Sequence, residues 1–275
     1  MQSNCKLQNT FLAADKESKL MSYDLQTLMM FGQTFAAQMT SYFVIVGLLF
    51  LLVWRLGEKR FRKSRIQSKT RVNAKQIGYE IRHTIPVLIV GTGIAVAVSL
   101  LQASGHTKLT IEAQSIGWPM ITVTFMALII FSDAWFYFWH RLLHHPKLFR
   151  HVHAVHHKSV DVNPFSSYSF HWLEGFLMGA WILPVVLYVP IYIPMLGVLQ
   201  GIGLANNVMS HLGYEFLPRW LIRVPGLRWM NTSTFHNLHH TALNGNYGLM
   251  FRFWDRQLGT ELKNYEQKFI ERNTM

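Results

Sequence analysis

The stretch HRLLHHPKLFRHVHAVHH, His140 to His157, places seven of the chain's fourteen histidines within eighteen residues. On a helix His140 and His144 stand at i and i+4, and His153, His156 and His157 at i, i+3 and i+4, so each set points its rings from one face. Pro146 suits the end of one helix and the first position of the next, which predicts consecutive helices joined at His145-Pro146. Roughly eighty residues later HNLHH repeats the i, i+3, i+4 spacing with His236, His239 and His240. A lone histidine, such as His83 or His106, is ordinarily a solvated or hydrogen-bonded structural residue. A basic surface loop would mix Lys, Ser and Gly among the histidines, whereas here Leu, Val, Ala and Phe intervene, which build packed helices. Three such sets together read as a metal centre.

The 275-residue chain is 50% hydrophobic and 15% charged, against about a quarter charged in an ordinary soluble domain. Lys and Arg outnumber Asp and Glu by 26 to 14, but their distribution argues against nucleic acid. Nine basic residues lie between Arg55 and Lys75, with Glu58 the one acid among them. That run follows a long uncharged segment, as at the cytoplasmic end of a membrane helix. A single cysteine, Cys5, excludes internal disulfides and thiolate metal sites, so the ligands are imidazoles.

Residues 1–24 are polar and mixed in charge, without an apolar core behind a basic start, so a loose or interfacial end and no cleavable signal peptide are expected. Leu25 to Trp54 carries no charge and is long enough to span a bilayer, for which about 20 apolar residues suffice. Thr84 to Gly105 is a second uncharged segment, and Ala113 to Ser132 begins a third crossing that continues to Trp139 and delivers His140. Lys158 to Ser169, with Asn163-Pro164 and several serines, reads as a loop. Gly175 to Ser210 holds no charge but three prolines, Pro184, Pro190 and Pro194. It is too long for one span and fits a hairpin of two broken around Pro190 to Pro194. A hairpin returns the chain to the side it left, so His211 and HNLHH emerge on the same face as the first cluster. The expected fold is all-α: a multi-pass membrane protein of four to five transmembrane helices including the hairpin, with a cytoplasmic helical cap carrying the histidines. Residues 1–110 form the N-terminal membrane segments with their basic loop, and 111–275 the catalytic domain.

Asp133, Tyr137 and His140 share one helix face as the third span ends. An ionisable residue there is a functional candidate, and Asp133 is expected either to orient a histidine ring as an acceptor or to pair with Arg141 or Lys147. Trp135, Phe136, Phe138, Trp139 and Trp172, close in sequence to the histidines, are candidates to line an apolar substrate cavity or to form an interfacial belt.

HRLLHH, HAVHH and HNLHH, with DAWFYFWHR before them and NYG and WDRQLGT after the last, resemble the fatty acid hydroxylase and sterol desaturase superfamily over roughly residues 115–262. The resemblance implies a di-iron centre that activates dioxygen to hydroxylate or desaturate a lipid C–H bond. Its ligands would be His140, His144 or His145, His153, His156, His157, His236, His239 and His240, with His211 as a further one. Some members place two histidines four apart where this chain has His211 alone. His171 stands where sterol-type members also show one, and it is expected beside the ligands. DRQLGT and the His171 neighbourhood lie closest to the sterol side.

Imidazole coordination suits iron or zinc, but zinc has no redox chemistry and would be a substitute. The chain carries no haem box, and Gly91-Thr-Gly93 lacks the strand context of a dinucleotide site. An external ferredoxin-, cytochrome- or reductase-type donor is therefore implied, met by the basic cytoplasmic face. The membrane is expected to be a bacterial inner membrane, or the endoplasmic reticulum in a eukaryote. Two rival classes remain at this stage. A metal transporter would place its ligands near the bilayer midplane, and a structural zinc site closes with four ligands.

Overall fold

In the computed structural model, residues 2–67 and 72–272 are described, which leaves Lys69 and Arg71 of the basic run outside them. Three helices among these are long and apolar enough to cross a membrane: Asp24–Leu56, Ala74–Ala103 and Trp118–Leu143. The first belongs to α1 (Gln2–Leu49), so the chain is helical well before the first apolar span, and a π-helical turn carries it on through Phe50–Leu56. The second, α2 (Ala74–Ala103), starts ten residues ahead of the uncharged segment, because Asn73 caps it by accepting from the Gln76 amide. The third, α3 (Trp118–Leu143), follows Gly117, whose φ of 83° makes the turn a side chain would resist, and has Pro119 in its first turn.

The expected hairpin is present with shorter arms. α4 (Trp172–Gly179) and α5 (Ile182–Tyr188) form one arm, and α6 (Ile193–Ser210) the other. Between them Ile191–Tyr192 pairs in parallel with Leu109–Thr110, tying the hairpin tip to the connection ahead of α3. One apolar core, centred on Leu128, Val186, Ile191 and Leu199, packs the hairpin on α3. Another, of Tyr42, Val46, Leu88 and Val208, packs α1, α2 and α6. The architecture is the all-α, multi-pass one expected from the sequence.

Beyond the long helices the chain forms a polar cap. Pro146–Leu148 opens a short helix after α3, as Pro146 predicts, and a π-helical turn, Phe149–His153, passes into Ala154–His157. The loop expected at 158–169 contains a 3-10 turn, Pro164–Tyr168, started by a capping box at Asn163. Glu80 of α2 anchors this loop by accepting from Ser159 Oγ at 2.7 Å and from Asn163 Nδ2 at 2.8 Å. α7 (Ser233–Ala242) carries HNLHH. Thr232 caps its start and Glu215 accepts from the Thr234 amide at 2.9 Å, so two N–H groups of its first turn are satisfied. α8 (Tyr265–Arg272) closes the cap. Its Glu266, with Glu261, binds the fully buried Arg252 guanidinium at 2.7 Å and 2.6 Å.

Candidate metal centre

Nine histidines converge in two groups, and within a group each offers one ring nitrogen that lies within 4.8 Å of those of the others. His140, His144, His153, His157 and His239 form one; His156, His211, His236 and His240 form the other. Each HxxHH set is divided between the groups rather than facing one ion. His153 and His157, a helical turn apart, enter the first group while His156 enters the second. In α7 the assignment is reversed: His236 and His240 enter the second group and His239 the first. The two helical segments thus face one another and each contributes to both sites.

Within a group the Nε2 atoms face each other closely. His140 and His157 each approach His153 at 3.0 Å, and His239 lies 3.1 Å from His157. In the second group His211 lies 3.0 Å from His236 and 3.2 Å from His156, and His240 lies 3.2 Å from His236. Two of these contacts, His140–His153 and His211–His156, cannot be hydrogen bonds, because in all four rings the opposite nitrogen is committed as donor. Nδ1–H donates from His140 to the Tyr247 carbonyl at 2.7 Å, from His239 to Gly245 O at 2.8 Å and from His211 to Asn207 O at 2.8 Å. It donates from His156 to Ser169 O at 3.3 Å and from His153 to Glu174 Oε1 at 2.8 Å. Nε2 in each of these rings therefore carries a bare lone pair pointing at other lone pairs.

A second proton does not resolve the clash. Burial, reinforced by the neighbouring imidazoles, holds His153, His156, His157, His236, His239 and His240 well below the ordinary histidine range. It holds His211 near about 4 and His144 near about 3. A cation between the lone pairs does resolve it. Nitrogens bound at about 2.1 Å to one ion and at right angles to each other lie about 3 Å apart, which is the spacing observed. The donor set fits a pair of metal ions.

The strap after α7 explains the flanking motifs. Its carbonyls at Gly245 and Tyr247 orient His239 and His140. Asp255, from WDRQLGT, holds the strap by accepting from the Tyr247 and Gly248 amides at 2.9 Å and 2.7 Å. Leu243 and Asn246 take left-handed φ values of 60° and 56°, a local strain that lets this short return pass under the rings.

Three expectations need correction. His145 stands outside both groups: it is exposed, and its ring accepts weakly from the Lys147 amide at the start of the next helix, so His144 is the one that reaches in. Asp133 orients no histidine and pairs with neither Arg141 nor Lys147. Its Oδ1 accepts from the Met250 amide at 2.9 Å and the Phe251 amide at 3.3 Å, fixing the far end of the strap on α3. His171 also lies apart from the nine; its ring caps α4 by accepting from the Leu173 amide. The carboxylate that does orient a histidine is Glu174, fully enclosed and bonded to His153. The sequence offered a sign of it: Glu174 is a lone acid at the start of the uncharged hairpin.

Beside the centre lies a cavity of about 460 Å³ between α1, α2, α3 and the hairpin. Its wall is mostly apolar and includes Gly91, Gly175, Gly179 and Gly203. It reaches the histidines through Phe170, with its ring centroid 4.5 Å from that of His156, and through Phe136, 5.1 Å from His140. Of the five aromatics expected to line it, Phe136 does so; Phe138 and Trp172 are half exposed, and Trp135 and Trp139 pack against each other at a tilt of 50° outside the lining.

The fatty acid hydroxylase family profile matches residues 125–260. A rat lathosterol oxidase is 32% identical over 189 residues, covering 66% of this chain and 60% of the relative. A Delta(7)-sterol 5(6)-desaturase of Candida albicans is 26% identical over 239 residues, covering 84% of this chain and 56% of the relative. Methylsterol monooxygenase 1 of Gallus gallus is 30% identical over 144 residues, covering 52% and 48%. The chain thus spans about half to two thirds of the length of the curated relatives it matches. No solved structure matches it.

Proposed function

We propose that this chain, which belongs to the fatty acid hydroxylase and sterol desaturase superfamily, oxidises a C–H bond of a membrane lipid with dioxygen at two histidine-held iron ions. The observation that carries the reading is the convergence of nine imidazoles into two groups directly beside an apolar cavity set among membrane helices. The relatives, named as sterol desaturases, a lathosterol oxidase and a methylsterol monooxygenase, favour a sterol or a similar rigid lipid.

His140, His144, His153, His157 and His239 would hold one iron, and His156, His211, His236 and His240 the other. Bound iron supplies the redox chemistry that dioxygen activation needs, which zinc cannot. The chain's own residues orient and exclude. Glu174 and the Tyr247, Gly245, Asn207 and Ser169 carbonyls keep five of the rings, His153, His140, His239, His211 and His156, in the Nδ1–H tautomer with lone pairs inward. Phe170 and Phe136 line the passage from the lipid cavity to the histidines. Substrate desolvation is favourable only into such an apolar space, at about 0.8 kcal/mol per CH₂ buried. We place residues 111–275 as the catalytic domain, although α1 and α2 supply part of the cavity wall. The basic run at 55–75 orients the histidines to the cytoplasm and offers a face to an external, acidic electron donor.

The ligands sit where the spans end rather than within them, which disfavours a transporter, and nine imidazoles exceed the four of a structural zinc site. The test is direct. Purified, iron-loaded chain given a reductant and labelled dioxygen should transfer the label to a membrane sterol or fatty acyl lipid, or remove hydrogen from it. Equal turnover of a short, water-soluble analogue, or activity with zinc alone, refutes the assignment.

A further inference from the structure

Among the polar groups on the cavity wall, the side-chain amides of Gln38 and of the exposed Gln200, the hydroxyl of Tyr168, and Asp133 Oδ2 have no hydrogen-bond partner among the described residues; of these, Gln38 and Tyr168 lie close together. Gln38 lies inside the first long apolar helix, where no water satisfies an amide and an unpaired one is costly. Its Oε1 packs against α2 at Gly91, where an added Cβ would stand 3.4 Å away. Tyr168 stacks on Tyr42, at 5.0 Å between centroids, and Tyr42 is the residue one helical turn after Gln38. The two groups therefore belong to one patch of wall. Burial pushes the Tyr168 hydroxyl up to about 12, so it remains a neutral donor. From Tyr168 the wall passes to Phe170, 6.3 Å away, and from Phe170 to His156. The patch is thus two ring contacts from the four-histidine group.

The lining contains no Lys, Arg or His, and its one acid, Asp133, commits Oδ1 alone to the strap amides. A carboxylate or phosphate head inside it would meet no counter-charge. A neutral hydroxyl would meet an amide and a phenol. We infer that Gln38 and Tyr168 together bind the neutral hydroxyl of the lipid and, by fixing that end, decide which carbon is presented to the metal centre. This rests on the proposed lipid oxidation in the same cavity. Both are positioning residues, since neither touches the histidines.

The experiment measures equilibrium binding of cholestanol and of cholestane, which lacks the hydroxyl, to the metal-loaded full chain in nanodiscs. Wild type should prefer the alcohol by about tenfold, the worth of one net hydrogen bond. Gln38→Leu with Tyr168→Phe should remove that preference by weakening cholestanol alone, with metal content unchanged, and Gln38→Asn in place of Gln38→Leu should restore part of it. Gln200→Leu, at an exposed part of the same lining, should leave the preference intact. If the double variant loses metal, Tyr168→Phe alone, which deletes one oxygen and no ring contact, must lower the preference by about threefold. A preference that survives these changes, or that disappears with Gln200→Leu, overturns the inference. Gly203→Phe separates this from the broader reading, because nothing lies within 4 Å of an added Cβ there and the ring would fill the cavity. Loss of both ligands is expected; undiminished binding of both would show that the cavity is not the lipid site at all.

Discussion

The two histidine groups use the same ligand and nearly the same spacing, yet their surroundings differ. The four-histidine group is sealed, with each ring no more than 2% exposed, and it abuts the cavity through Phe170. The five-histidine group has one half-buried member, His144, at the cap surface, and one member, His153, bonded to a buried carboxylate. The outer supports are also uneven. His236 and His240 leave Nδ1 without a partner, as does His157 in the larger group. Both groups touch the cavity wall, the four-histidine one through Phe170 and the five-histidine one through Phe136, and only the larger also reaches the cap surface, through His144. The division arises from two HxxHH segments meeting face to face, so that neighbouring rings on one helix enter different groups.

The sharpest way to break this comparison is in α7, where His236 and His239 lie less than a turn apart. His236→Ala should cost one metal equivalent from the four-histidine group and His239→Ala one from the other, each lowering activity by more than about 100-fold, beyond the loss typical of outer supports. Metal analysis of both variants checks this. Loss of both ions, or of neither, in either variant would undo the division.

Glu174→Gln comes next. It should weaken only the five-histidine site, by about 10- to 100-fold in metal affinity, read by chelator titration. Equal weakening of both sites would mean that Glu174 acts on the fold rather than on His153.

Acid should expose the same contrast. Burial holds His211 near about 4 and His144 near about 3 in the folded chain, from an ordinary value of 6.5. The unfolded chain then binds more protons as pH falls below about 6.5. Metal-free protein should lose thermal stability between pH 6.5 and about 4 through His211, and down to about 3 through His144, and be insensitive through these groups above 6.5. Metal should move that loss to lower pH, because ions bind only the deprotonated rings. Melting curves that improve on acidification would contradict the burial on which both sites depend.

The smallest effect is expected at neighbouring positions. His145→Ala should leave metal content unchanged and stability within about 0.5 kcal/mol. His144→Ala should weaken the five-histidine site measurably. The reverse order, by metal analysis and thermal unfolding, would exchange their places.

Spacing made much of this site legible. The i, i+3 and i+4 periods of HAVHH and HNLHH survive into helical turns, and the first three apolar runs became long helices, because both patterns are local. Which ring joins which ion was not legible, since it depends on how two segments roughly eighty residues apart cross. His144 and His145 are adjacent in sequence; only the end of α3 at Leu143 and the cap at His145 turn one inward and the other out. Glu174 takes the part expected of Asp133 for the same reason. Each is a lone acid beside an apolar run, and a sequence does not say whether a strap or a histidine will arrive opposite.

From the sequence alone came the all-α membrane architecture, the imidazole ligand set and the resemblance to lipid-oxidising enzymes, because hydrophobic length and helical periodicity act within a segment. The tertiary structure decided the partition into five and four, the carboxylate behind His153, the strap carbonyls that aim the lone pairs, and the cavity with Gln38 and Tyr168 on its wall. These are contacts between segments far apart in the chain, chosen by which buried polar groups find a partner when the helices pack.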